Sequence, residues 1–271
     1  MNQHDKKQNG FTLIELIIVI VLLGIVGAMG AGFISQAFKG FFDTDVRMEI
    51  YEEGKTAMVR MEREIHIALP NAIIALDKTA LPPYDDVVNN AGFGNAIIFG
   101  EIDETKMAGV FGQYTDPPFT DSKAALQPSG THLVSIYNTR WNDFANGSRI
   151  YTVTSDGITP TMPVTPAITM ASPYQRYYAV RDPAVRFTVS DDHVLSRSTV
   201  QVKTSTDFPL TTLFGNEQPL AKDVYQSDGL PFFTYAPGTS TRNSVVNIHF
   251  AIQRNGETVN FHKEVQVRNV P

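Results

Sequence analysis

The chain has 271 residues, of which 42% are hydrophobic and 18% charged, with a net charge of -6 and no cysteine. That length fits one large domain or two small ones, and the apolar content is enough for a packed core and too high for a disordered chain. The absence of cysteine excludes disulfides, thiolate metal sites and a cysteine nucleophile, and an acidic chain without a basic stripe has no electrostatic reason to bind nucleic acid.

The first ten residues are short and polar and carry Lys6 and Lys7. Behind them, Leu16 to Ile34 is a run of 19 residues without a charge. As a helix this run is roughly 28 Å long, which matches the hydrocarbon core of a bilayer. Gly24, Gly27, Gly30 and Gly32 lie inside it; in water they weaken a helix, whereas in a membrane small residues let helices pack closely. A buried core helix of a soluble domain is the alternative. The basic leader predicts a cytoplasmic N-terminus, with the rest of the chain on the far side of the membrane.

A secretory signal is cut after its apolar run. Here the informative residues come before it: Lys6-Lys7-Gln8-Asn9-Gly10-Phe11-Thr12-Leu13-Ile14-Glu15. This segment resembles the class III signal of type IV prepilins and type II secretion pseudopilins, and the likeness covers residues 1–38. The resemblance implies that prepilin peptidase cuts between Gly10 and Phe11 and methylates the new amine of Phe11. It further implies that the apolar span is retained as an assembly helix. The partners it implies are other major and minor pilins, the inner-membrane assembly platform and, before assembly, the lipid bilayer. The implied location is the bacterial inner membrane with a periplasmic head, then a pilus or pseudopilus filament. Glu15 is the single ionisable side chain between Lys7 and Lys39. A carboxylate in hydrocarbon costs on the order of 3 kcal/mol, so it needs a partner. The family supplies one in the Phe11 amine of a neighbouring subunit; the alternative is a glutamate that snorkels to the interface. Many pilins have a kinking proline where this chain has Gly32, and many brace their heads with cysteines that this chain lacks.

Beyond the apolar run, Val46, Ile50, Ala57, Met58, Met61, Ile65, Ala68 and Leu69 recur at spacings of three and four. That pattern predicts an amphipathic helix whose stripe packs on a head. Gly40 and Gly54 are candidate bends, and Pro70 is the expected stop. Arg60 with Glu64, and Glu62 with His66, are expected as i,i+4 pairs on the exposed side. The layout predicted is an α+β protein with a leader (1–10), a transmembrane assembly helix (11–38), its amphipathic continuation (39–70) and a β-rich head (71–271). The helix end Arg60–Pro70 also resembles that of larger minor pilins and J-type pseudopilins.

In the head, Pro82-Pro83 and Pro117-Pro118 are expected in loops, and residues 155–173 as a long loop. Strands are predicted at 96–99, 133–138, 149–154, 176–180, 185–189, 193–198, 245–252 and 258–267, from β-branched and aromatic runs spaced by turn signals. The last two join at Asn255-Gly256, a strong two-residue turn signal. That register sets Arg254 opposite Glu257 and His249 opposite His262. One face then carries Val246, Ile248, Phe250 and Ile252 against Val259, Phe261, Val265 and Val267; the other is wet. His249 and His262 lie on the wet face as weak candidates for a metal, with Glu264 as the obvious third ligand. The ending Glu264–Pro271 resembles the close of minor pilins of the mannose-sensitive haemagglutinin (MSHA) type.

No nucleophile elbow, P-loop, dinucleotide fingerprint or zinc-protease motif occurs, so no catalytic residue is expected and the chain reads as a non-enzyme. Asp85-Asp86 and Ser190-Asp191-Asp192 lack the alternating spacing of a calcium loop. Some pseudopilins bind calcium in head loops, which makes calcium the cofactor the resemblance leaves open; no other is expected. Trp141 and Tyr137 are weighed as a surface patch against the commoner core role of a lone tryptophan. Glu15 separates the chain from K-type tip subunits, which lack that acid. A filament subunit, a membrane-tethered periplasmic enzyme and an adhesive tip remain the classes to be told apart.

Overall fold

A computed structural model of the chain describes residues 11–77, 79, 84, 92–122, 126, 129–210, 212–238 and 242–267. The leader with Lys6, Lys7 and Gly10, the Pro82-Pro83 and Asp85-Asp86 segments, and the closing residues 268–271 fall outside the described residues. The chain divides into two compact units, Met1–Glu49 and Ile50–Pro271. The fold is α+β, with a long N-terminal apolar helix and an antiparallel β-rich head.

The helix spans Leu13–His66 and runs without interruption through Gly32, Gly40 and Gly54. The first unit contributes its apolar part. From Phe11 to Glu49 no residue is buried, and Leu13, Leu23, Val26, Met29 and Phe33 are each at least two-thirds exposed. A helix that is apolar on every side and uncovered by its own chain requires an apolar surrounding from elsewhere.

In the second unit the same helix becomes one-sided. Ile50, Ala57, Met58, Met61 and Ile65 are buried, as the predicted stripe requires, whereas Val46, its first member, is only half-buried. Gly54 does not mark a bend. A Cβ there would fall inside the Phe261 ring of the last strand, so glycine lets the helix lie directly on the sheet. The helix ends at His66, earlier than Leu69. Ala68 and Leu69 already belong to a strand, Ala68–Leu76, which contains Pro70. Its register with Ala96–Glu101 shifts between Ala68 and Ile73. Pro70, which lacks a donor, and Asn71, at φ 58°, sit in that irregularity, where a proline leaves no ladder bond unmade.

Among the described residues the head holds three sheets. The first has the order 68–76, 96–101, 184–189, 195–200, 215–221. The second centres on Ser244–Arg254, which pairs on one side with Val224–Tyr225 and Phe233–Ala236 and on the other with Glu257–Val267. The third places Gly112–Thr115, Arg176–Ala179, Gly130–Ser135 and Ile150–Ser155 side by side. Trp141 is core, not patch: it is 2% exposed and packs with Phe144 and Ile150 on the first sheet's residues. Its Nε1–H donates to the Tyr84 carbonyl. Tyr137 is 37% exposed.

The predicted strands recur with shifted ends. The expected 133–138 strand stops at Ser135. The expected 193–198 strand begins only at Leu195, because His193 takes a left-handed φ of 57° in the turn before it. There the Ser190 N–H donates to the Val194 carbonyl at 3.0 Å, which puts Asp191 and Asp192 at a hairpin tip. Ser155 closes the strand Ile150–Ser155, and residues 156–173 form a loop with a two-residue strand, Val164–Thr165, inside it.

Candidate functional site

Two features of the described residues carry chemistry: the first turn of the helix, and the charged belt where residues 50–66 meet the head.

At the first turn, Phe11 and Thr12 precede the helix and Phe11 is 80% exposed. Helix N-termini leave backbone N–H groups unpaired, and a serine or threonine followed three residues later by glutamate can close them reciprocally. Thr12 and Glu15 do this. The Thr12 N–H and Oγ1–H donate to Glu15 Oε2 at 3.3 and 3.2 Å, and the Glu15 N–H donates to Thr12 Oγ1 at 3.3 Å. Glu15 is therefore held by Thr12 within its own chain. The Thr12-x-x-Glu15 spacing announces this box in the sequence.

At the belt, Glu64 is 8% exposed and not on the outer side as expected. It accepts from Arg197 Nε at 2.7 Å and from Arg60 Nε at 3.1 Å. Arg60 also donates to Gln218 at 3.3 Å. Glu62 does not pair within the helix: it meets Lys263 at 2.9 Å, while His66 Nδ1 lies 3.1 Å from the Gln266 carbonyl. At the hairpin end, Arg254 reaches Glu53 at 3.0 Å and Asp223 at 2.8 Å. The helix is thus tied to both neighbouring sheets by charge as well as by its apolar stripe.

Glu101 lies behind this belt, 2% exposed. Arg181 approaches its Oε2 at 3.5 Å, and among the described residues its Oε1 has no hydrogen-bond partner. Burial, and then the charge of Glu64, push its carboxyl up to about 7 against the pull of Arg181, Arg197 and Arg63. No sequence pattern marked Glu101, because a single acid in a β-run carries no signal of what will surround it.

The hairpin forms in the predicted register, with Arg254 opposite Glu257 and His249 opposite His262. Asn255 and Gly256 both have positive φ, 53° and 87°, as a type I′ turn demands. Val246, Ile248, Phe250, Ile252, Phe261, Val265 and Val267 are buried and Val259 is half-buried. The two imidazoles stack with centres 4.2 Å apart and planes 14° apart. Burial, then the charge of His262, lowers the pKa of His249. Among the described residues no group of three or more His, Asp or Glu is placed to share a metal ion.

The family model for the prokaryotic N-terminal methylation motif matches residues 5–31. No curated protein and no solved structure matches the chain. The segment is therefore a type IV pilin-like class III signal. It supports a protein of the type IV pilin or pseudopilin kind and implies processing by prepilin peptidase and assembly with other pilins. The motif points to a structural protein, and the exposed apolar helix is consistent with membrane anchoring.

Proposed function

We propose that this protein is a minor pilin of a type IV pilus of the MSHA type, similar to the biogenesis protein MshO. It is a structural subunit, not an enzyme. The observation that supports the pilin class is the pairing of a methylation motif over residues 5–31 with an apolar helix that its own chain leaves uncovered; the MSHA type rests on the likeness of the ending Glu264–Pro271. A tether for a periplasmic enzyme needs the apolar length but neither a Gly10-Phe11 junction nor an acid at its start.

In this reading Lys6 and Lys7 hold the leader on the cytoplasmic face. Prepilin peptidase cuts after Gly10, whose bare backbone extends readily into an active site, and methylates Phe11. The helix waits in the inner membrane with its head in the periplasm. It then leaves the bilayer for the filament, where neighbouring pilin helices replace the lipid. Glu15 pairs there with the Phe11 amine of the adjacent subunit and sets the axial register. The Thr12 box holds the carboxylate ready for that exchange, since a charged group already hydrogen-bonded loses less on leaving water. The head beyond Asn71 is about 200 residues, a size suited to the filament tip or to sparse positions.

A J-type minor pseudopilin of a type II secretion system is the second reading, favoured by the same large β-rich head. Processing is tested by following the protein in cells with and without prepilin peptidase. The reading expects loss of the ten-residue leader only when the peptidase is present. An unchanged mass in both strains contradicts it.

A further inference from the structure

We propose that His249 and His262 form a two-imidazole chelate for a divalent late transition metal, with Cu²⁺ the preferred ion. The backbone sets the spacing of the pair. The His249 N–H donates to the Phe232 carbonyl at 2.9 Å, away from the strand Glu257–Val267. His249 and His262 are therefore a non-hydrogen-bonded cross-strand pair, the class in which opposite side chains stand closest. The pair lies six residues from the Asn255-Gly256 turn, inside a hairpin whose eleven cross-strand pairs run without a bulge. The spacing of the two rings is consequently fixed by the ladder and not by a loop.

The distance is close to what two imidazoles on one ion require. With metal–nitrogen bonds of about 2.0 Å, two imidazoles at a right angle have ring centres about 4.5 Å apart, and at a tetrahedral angle about 5.1 Å. The observed centres are 4.2 Å apart. Cupric and nickel ions accept a right angle between neighbouring nitrogens, whereas zinc prefers the wider one, and cupric ion heads the affinity order for nitrogen donors. The rings stack now and must turn about their Cβ–Cγ bonds to converge on one ion, a torsion with a broad minimum in histidine. His262 is exposed and His249 half-buried on the wet face, so both edges meet solvent. Since no third described side chain completes the site, water fills the remaining positions.

The test is a titration of the full-length protein in detergent micelles with Cu²⁺, Ni²⁺ and Zn²⁺ in a non-chelating buffer, with electron paramagnetic resonance of the cupric form. The expected result is one equivalent bound in the order Cu²⁺, Ni²⁺, Zn²⁺, and a cupric spectrum with two imidazole nitrogens. Either H249Q or H262Q is expected to weaken Cu²⁺ at least about tenfold and to reduce the spectrum to one imidazole nitrogen at that site. H4Q, H66Q and H193Q are expected to leave it unchanged. Absence of binding by the native protein, or equal Cu²⁺ affinity in the H249Q/H262Q double variant, overturns the proposal. Both substitutions are on a solvated face, and an unchanged melting temperature in the absence of metal verifies that each variant folds.

Discussion

Glu64 and Arg197 are 133 positions apart in the chain and 2.7 Å apart in the head. One is on the last turns of the helix, the other in the middle of Leu195–Val200, the fourth of the first sheet's five strands. With side chains only 10% and 15% exposed, this contact lies between the exposed pairs that contribute little and the buried pairs whose rupture is costly. Arg197→Met leaves Glu64 with Arg60 alone, and a destabilisation of about 2–3 kcal/mol is expected. Thermal unfolding of the detergent-solubilised protein measures it, and E64Q/R197M is expected to recover part of the loss.

Gly54 and Phe261 mark the closest approach of helix to sheet. Gly54→Ala gains helix propensity of about 1 kcal/mol but forces the ring to move, at a cost of about 1–3 kcal/mol. A net loss is therefore expected with Phe261 present. With Phe261→Leu the same glycine substitution is expected to become neutral or stabilising. A double-mutant cycle on melting temperature reads the difference.

Glu101 predicts a pH dependence of known sign. Its folded pKa of about 7 lies above the ordinary 4.5. Between those values the folded head keeps a proton that the unfolded chain has released. Its contribution is fully present below pH about 4.5, falls as pH rises to about 7, and is constant beyond, a change on the order of 3 kcal/mol. Glu101→Gln is expected to flatten that part of the stability profile and to leave the head more stable than the native protein at pH 8. Equilibrium unfolding from pH 5 to pH 8 tests both.

Thr12 predicts a local effect. Thr12→Val removes the hydroxyl from the box with Glu15, at a cost of about 1 kcal/mol to the first turn. Faster amide exchange at Leu13 to Glu15 in micelles is expected, with exchange beyond Ile20 unchanged. Filament incorporation is expected to fall less than for Glu15→Leu, because the acid proposed to pair with the Phe11 amine is still present.

The helix and the last hairpin were legible because their signals are local. A nineteen-residue uncharged run, a stripe at three and four, and an Asn-Gly turn between alternating strands each follow from neighbours in sequence. The misread elements are those decided by distant partners. Ala68–Leu76 is apolar without a strand's alternation, because it is buried almost throughout; Ala68 and Leu69 therefore continue the helical stripe in sequence, and the rest gives no period-two signal. Gly215–Ala221 contains glycine, asparagine and proline, poor strand formers tolerated here on an exposed sheet edge. Gly54 and Glu64 looked like a bend and an exposed charge because nothing near them in sequence announces Phe261 or Arg197. The motif residues Gly10, Phe11 and Glu15 stand out by resemblance, whereas the Thr12 box is legible from its own Thr-x-x-Glu spacing.

The proposal that this chain is a processed filament subunit is tested most directly by mass spectrometry of its N-terminus in filaments sheared from the cell surface, beside the membrane fraction. A processed pilin gives a peptide beginning at N-methylated Phe11 in the sheared filaments. Mature Phe11 confined to the membrane would contradict assignment to a surface pilus and favour the pseudopilin reading, and an intact Met1 terminus in both fractions would contradict the account itself.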